Sequence, residues 1–270
     1  MKKIERLAKQ WLRERNVYFG KKIKDSELVD FLSRVRPYTS EHKLIRIGDD
    51  GDGGYLLPDD FDGISNCFSP GVSIEVHFEK DLANRGIKSF LADHSVDSLP
   101  IENPLFDFEK KFLGMDNDST YMTLENWIKT KVGDDPSDMI LEMDIEGAEY
   151  EVIFDTSSET LNRFRIIVIE FHNLDALLDK YGYRLINSAF RKIQKDFEIV
   201  HIHPNSQSRR VNYKGYVIPS EMEFTFLRKD RINRREFTNT FPHKLDSNNM
   251  SSDSEFSLPR CWYSDSLNLS

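Results

Sequence analysis

The residues best suited to chemistry in this 270-residue chain fall in two short stretches. Met139-Ile-Leu-Glu-Met-Asp-Ile-Glu-Gly-Ala-Glu149 begins apolar and then gathers three carboxylates, Asp144, Glu146 and Glu149, around Gly147. Phe164-Arg-Ile-Ile-Val-Ile-Glu-Phe171 is almost wholly apolar until Glu170, and His172 follows it. An apolar run that breaks into acid is the pattern of a buried strand emerging at its carboxyl end. In open α/β sheets, ligands bind in the crevice beyond those ends. If the two strands are neighbours, His172 lies beside Asp144 and Glu146. An imidazole there could take a proton near neutral pH. The same side chains could instead hold a divalent cation. Acids in the first turn of a following helix, where the dipole favours them, and a histidine capping the next helix would also account for the pattern.

A second constellation lies upstream. Ile64-Ser-Asn-Cys-Phe68 predicts a strand, Ser69-Pro-Gly-Val-Ser73 a turn, Ile74 to Arg85 a helix, and Gly86 to Ala92 a second strand that ends in Asp93. Strand, glycine turn, helix, strand and acid is the layout of a nucleoside-binding βαβ unit, although any βαβ unit with a small turn residue shares it. Gly71 would let the turn pass under a bound nucleoside, and Asp93 would accept hydrogen bonds from ribose hydroxyls. Further on, His201 and His203 alternate onto one face of a strand expected over 197–203.

The elements that must position these residues follow from periodicity. Leu44 to Leu57 reads as two short strands around the glycine-rich Gly51–Gly54 turn. Leu28, Phe31, Leu32 and Val35 form the stripe of a helix from about Asp25 that Pro37 stops. A third strand is expected over 108–114, a helix capped by Thr123 follows, and a long helix is expected over 174–195. Tyr213–Pro219 and Glu223–Leu227 supply the last extended segments. Strands alternating with helices at this spacing mean a mainly parallel sheet covered on both faces. Residues 1–43 form an amino-terminal helical extension, 44–230 the main domain, and 231–270 a polar tail expected to wrap the domain or stay partly disordered.

Composition narrows the function. The net charge of −9 is uneven, because residues 1–24 hold nine Lys or Arg against two Glu. So acidic a body argues against nucleic acid as the main partner. The first helix, with Ile4, Leu7, Trp11 and Leu12 as its stripe, is expected to bury that face on its own domain or in a homo-oligomer, with an anionic membrane as the other option. No apolar run is long enough to span a membrane, and the amino terminus lacks the apolar core of a secretion signal, so a cytoplasmic location is expected. Two distant cysteines, Cys67 and Cys261, with no CxxC spacing, indicate neither a disulfide framework nor a structural zinc site.

With these residues in hand, the sequence resembles the FkbM-type family of S-adenosylmethionine-dependent methyltransferases. Leu141-Glu-Met-Asp-Ile-Glu-Gly-Ala-Glu149 is the most specific match, and Ile167-Val-Ile-Glu-Phe-His172 is similar to the family's following strand. Asp52-Gly-Gly-Tyr55, Phe68-Ser-Pro-Gly-Val72, Phe90-Leu-Ala-Asp-His94 and His201-Ile-His-Pro-Asn205 resemble other family segments in the right order, covering roughly 44–228. The turn after Phe68 is poorer in glycine than usual, and Glu142 stands where a lysine is common.

The resemblance implies a Rossmann-like class I methyltransferase fold, a mainly parallel seven-stranded sheet with helices on both faces. It also implies S-adenosylmethionine held at Ser69, Gly71, Asp93 and Asp144, with His172, Asp144 and Glu146 at the methyl-acceptor end. The expected acceptor is a hydroxyl on a sugar or small metabolite, and a divalent metal is left open. Two other classes remain: a non-catalytic interaction protein on a methyltransferase scaffold, and an NAD-dependent oxidoreductase, whose G-x-G-x-x-G fingerprint is absent after Phe68.

Overall fold

The computed structural model describes residues 20–72, 75–249 and 257–264. The basic amphipathic helix expected around Ile4 to Leu12 lies outside them. Seven strands form the central sheet: β1 (Ile64–Pro70), β2 (Lys88–Ala92), β3 (Phe106–Glu109), β4 (Asp138–Met143), β5 (Phe164–Phe171), β6 (Phe197–Pro204) and β7 (Met222–Arg228). Their order is β3-β2-β1-β4-β5-β7-β6. β7 runs antiparallel to both β5 and β6, and the other neighbours are parallel. The order therefore reverses between β1 and β4, and their carboxyl ends frame the crevice where such sheets bind ligands.

Among the described residues six helices surround the sheet: α1 (Asp25–Arg34), α2 (His77–Asn84), α3 (Leu124–Lys131), α4 (Glu149–Asp155), α5 (Ser158–Leu161) and α6 (Lys180–Ile193). The single helix expected over 174–195 is interrupted. A 3-10 turn, Leu174–Leu178, precedes Asp179, whose extended backbone and side chain cap a new helix at Tyr181 N (2.8 Å) and Gly182 N (3.3 Å). The third strand begins earlier than expected, at Phe106, and the polypeptide then makes only a two-residue strand at Phe112–Leu113. Alternating Phe and acid along β3, at the sheet's border, blurs the apolar signal there.

β4 and β5 are buried on both faces, as their composition predicts. On one face Leu141, Met143, Ile167, Ile169 and Phe171 meet α3, α4 and α6 in the main core. On the other, Ile140, Ile166 and Val168 pack with Tyr55 and Phe78 beneath the hairpin of Leu44–Ile47 and Tyr55–Pro58. The tail contributes to the main core: Trp262 is fully buried, donates its Nε1 hydrogen to Val217 O at 3.0 Å, and meets Phe31 and Phe224 edge-on. Both cysteines are free and buried. No helix among the described residues is long and apolar enough to cross a membrane.

Candidate functional site

At the reversal point β1 and β4 come almost into contact. Gly71 has φ +100°, donates its N–H to Ala92 O at 2.9 Å, and leaves no room for a side chain, because a Cβ would stand 1.6 Å from the carbonyl oxygen of Asp144. Glycine is needed here to let two strand ends touch. Ser69, one turn of the pleat earlier, is fully buried, and its hydroxyl contacts both Glu79 on α2 and Glu142 on β4 (Glu142 Oε2 at 2.8 Å). One hydroxyl hydrogen cannot serve two carboxylates, so one of the acids must carry a proton of its own. Burial, then the charge of Glu79, pushes the Glu142 carboxyl up to about 8.

Three adjoining hollows open above the strand ends. The largest, about 560 Å³, is bounded by Gly71, Ala92 and Asp93 on one side and by Phe112, Tyr121, Asp144 and Ile145 on the other. Asp93 is buried at the end of β2, and its Oδ1 accepts Ser95 N at 2.7 Å. Phe112 and Tyr121 stand 5.9 Å apart between ring centroids and are 38% and 41% exposed, a partly open aromatic wall. A second hollow of about 300 Å³ reaches from Gly71 and Asp144 past Asp52 and Tyr55 to Glu75 and Glu79. The third, about 230 Å³, is nearly all polar and contains Asp144, Glu146, Glu170, His172, Asn205 and Glu221. Asp52 and Asp144 border all three.

The turn after β4 is shaped by Glu149. Its Oε1 accepts Gly147 N at 2.9 Å and Ile145 N at 3.3 Å, and lies 3.0 Å from His172 Nδ1. Glu146 and Asn173, just beyond β4 and β5, both adopt left-handed backbone with φ 57°, a strain of the kind that clusters at functional sites. With Nδ1 held by Glu149, His172 turns Nε2 toward Asp144 Oδ1 (3.8 Å) and Glu146 Oε2 (3.5 Å). Burial opposes charge on this imidazole. The hydrogen bond that Nδ1 donates to Glu149 and the charges of Glu149, Asp144 and Glu170 outweigh it, and its pKa is pushed up to about 9. Burial and the neighbouring Glu170 and Glu142 hold the Asp144 carboxyl well above its usual range. Ligand atoms of Asp144, Glu149 and His172 all lie within 4.8 Å of one another. Asp144 Oδ1 and Glu149 Oε2 are buried with no hydrogen-bond partner among the described residues.

The structure thus brings Gly71, Asp93, Asp144, Glu146 and His172 to one crevice, and turns Ser69 inward beneath it. Sequence reasoning missed Asp52, Phe112 and Tyr121, which reach the crevice from loops and the short strands beside β3. Glu142 is more than a tolerated departure, because it lines the second hollow. Spacing alone assigned Glu149 to a helix start, whereas its side chain also holds His172.

The sheet order, with one antiparallel strand inserted near its end and helices on both faces, is the Rossmann-like class I methyltransferase arrangement. Residues 121–185 match the family model described as the methyltransferase FkbM domain, a span running from the end of the aromatic wall through β4, β5 and His172. No curated protein matches the chain. Among solved structures, a fibrillarin/Nop5p complex aligns at 11% identity over 62% of this chain and 73% of that one, with a TM-score of 0.36. An E. coli prophage-encoded protein described as a DNA modification methyltransferase aligns at 14% identity over 62% of this chain and 47% of that one, TM-score 0.38. Scores so low carry no argument about substrate. The family match and the sheet topology together support an S-adenosylmethionine-dependent methyltransferase.

Proposed function

We propose that the chain transfers a methyl group from S-adenosylmethionine to a hydroxyl of a sugar or small metabolite. The observation that carries this reading is the 560 Å³ hollow at the strand-order reversal, which joins Gly71, Asp93 and Asp144. Its parts suit the donor. The buried Asp93 carboxylate has the position and chemistry to accept ribose hydroxyls, and the Phe112–Tyr121 wall offers an aromatic surface to a planar base. Gly71 keeps the floor low. The surrounding carboxylates complement a sulfonium cation.

S-adenosylmethionine supplies an electrophilic methyl carbon, so the chain's work is positioning and proton removal. His172 Nε2 takes the acceptor's hydroxyl proton as the oxygen gains the methyl group, and Glu149 fixes the imidazole through Nδ1. Asp144 and Glu146 orient the acceptor in the polar hollow. Four acids around one imidazole keep it protonated in the free protein. A sulfonium held beside Asp144 would compensate those acids in place of the imidazolium and so would favour the neutral, basic form of His172.

A second reading is favoured by the buried, unpartnered oxygens of Asp144 and Glu149. With His172 they would hold a divalent ion that lowers the acceptor's pKa directly. In that case His172 is a ligand and not the base, and chelator inhibition that magnesium or manganese reverses in the zinc-loaded protein separates the two.

Calorimetry with S-adenosylmethionine, its demethylated product and NAD tests the assignment. Binding of the first two and not the third is expected, with Asp93→Ala weakening both by about 1.5–3 kcal/mol. Binding of NAD alone would move the protein to the oxidoreductases, and no binding of any of the three would leave a scaffold without catalysis.

A further inference from the structure

Away from the crevice, on the outer strand of the sheet, three side chains from distant parts of the chain converge. His201 and His203 project from β6, and Asp246 comes from the segment after β7. Asp246 Oδ1 is 2.9 Å from His201 Nε2 and 3.7 Å from His203 Nδ1, and the three side chains are only 6%, 4% and 11% exposed respectively. The carboxylate is set in place by its other oxygen, since Oδ2 accepts His243 N at 2.7 Å. Oδ1 is thereby left facing two imidazoles.

We infer that His201, His203 and Asp246 form a zinc site that fastens residues 236–249 to the outer strand. Two observations go beyond the convergence itself. His201 Nε2 is 2.9 Å from Asp246 Oδ1 without meeting the geometry of a hydrogen bond to it, and this buried nitrogen has no other hydrogen-bond partner among the described residues. Two ligands of one ion stand in that relation. Separations of 2.9 and 3.7 Å bracket the roughly 3.3 Å expected between ligand atoms of a tetrahedral zinc whose bonds are about 2.0–2.1 Å. Two imidazoles and one carboxylate are a donor set that zinc accepts, and the three ligand atoms lie within 4.8 Å of one another. A hollow of about 470 Å³, lined by His201, Phe241 and His243 among others, leaves the fourth position open to water.

The clasp reaches the crevice indirectly. Asn249, three residues beyond Asp246, accepts Asp52 N at 3.2 Å and Ser206 N at 2.9 Å, and donates to Asp52 Oδ1 at 2.9 Å. Asp52 borders all three hollows. Zinc at His201, His203 and Asp246 would thus anchor one rim of the crevice.

The full chain, stripped with chelator and reloaded with zinc, is freed of loose metal by gel filtration and assayed for metal content. One zinc per chain is expected in the wild type and in His172→Asn, with loss in Asp246→Asn and His203→Gln. Chelation should lower the wild-type melting temperature and zinc restore it. No retained zinc in the wild type overturns the site. So does equal zinc in Asp246→Asn, or loss in His172→Asn with retention in Asp246→Asn, which would put the ion in the crevice. Should the variants fail to fold, cobalt substitution of the wild type decides. Intense visible bands of a four-coordinate ion support the site, and their absence overturns it. None of these readouts depends on methyl transfer.

Discussion

Glu170 and Glu223 stand directly opposite one another across the antiparallel pair of β5 and β7, and both are buried. Like charges in that relation repel, and burial penalises each separately. Burial pushes Glu170 up to about 7 and Glu223 up to about 8, although His172 and His203 pull in the other direction. With Glu142 they make an acid-lined upper half on one face of the sheet.

These acids have folded-state values above their unfolded ones, so the folded protein binds more protons. The stability they allow is fully present below about pH 4.5 and is lost as the pH rises through about 7 to 8. Melting temperature measured between about pH 5 and pH 9 should therefore fall toward the alkaline end. Glu223→Gln should flatten that fall. A steeper one would contradict the assignment.

Gly71 allows a backbone contact that no other residue permits. Alanine there faces both the positive φ and the Asp144 carbonyl, so the strand ends must separate. A loss on the order of 2–4 kcal/mol is expected from denaturant melts, together with weaker S-adenosylmethionine binding. Full affinity and stability in Gly71→Ala would mean that the turn relaxes freely.

His172 must lose its proton before it can act as a base. In the free protein its pKa is about 9, so kcat/KM should climb with pH toward that value and level off above it. His172→Asn should remove the climb and lower turnover by about 10²–10⁴-fold with cofactor affinity nearly unchanged. Inhibition by EDTA that magnesium or manganese reverses would instead support the ion held by Asp144, Glu149 and His172.

Trp262 ties the tail to the main core between Phe31 and Phe224. Replacing it by alanine removes a fully buried indole and leaves the Val217 carbonyl only the weak Cys261 Sγ donor at 3.6 Å, which should cost about 3–5 kcal/mol in thermal or denaturant unfolding. A change below about 1 kcal/mol would show the tail to be dispensable for the core.

How far the sequence discloses this molecule depends on the range of each interaction. β4 and β5 were legible because an unbroken apolar run needs a sheet on either side of it. Gly71, Asp93, Asp144 and His172 were legible because each sits at the end of such a run, and strand ends gather at one edge. Glu142, Glu170 and Glu223 were not, since an acid inside a strand reads as a break in the pattern until its neighbours are known. Asp246 and Asn249 lie in polar sequence, and nothing local marks them as partners of His201 and Asp52. Trp262 likewise sits in a short Leu258-Pro-Arg-Cys-Trp-Tyr263 stretch of an otherwise polar tail, and only the fold shows that the core closes around it.

The two outer strands of the sheet guard themselves differently. β3 carries Asp107 and Glu109, each paired with Lys131 at 2.7 Å, and charge of that kind discourages another chain from adding a strand. β6 relies less on charge: its single carboxylate, Glu198, is buried and paired with Arg235 at 2.9 Å and Lys229 at 3.6 Å, and all eight of its residues are buried. It is shielded instead by the segment around Tyr38–Thr39 and Glu236–Phe237 and by Phe241 stacked on His201. A chain shortened before Glu236 would uncover the edge of this long strand, a template for self-association and aggregation. Where the polypeptide is cut for expression thus decides its solubility as well as the completeness of its crevice.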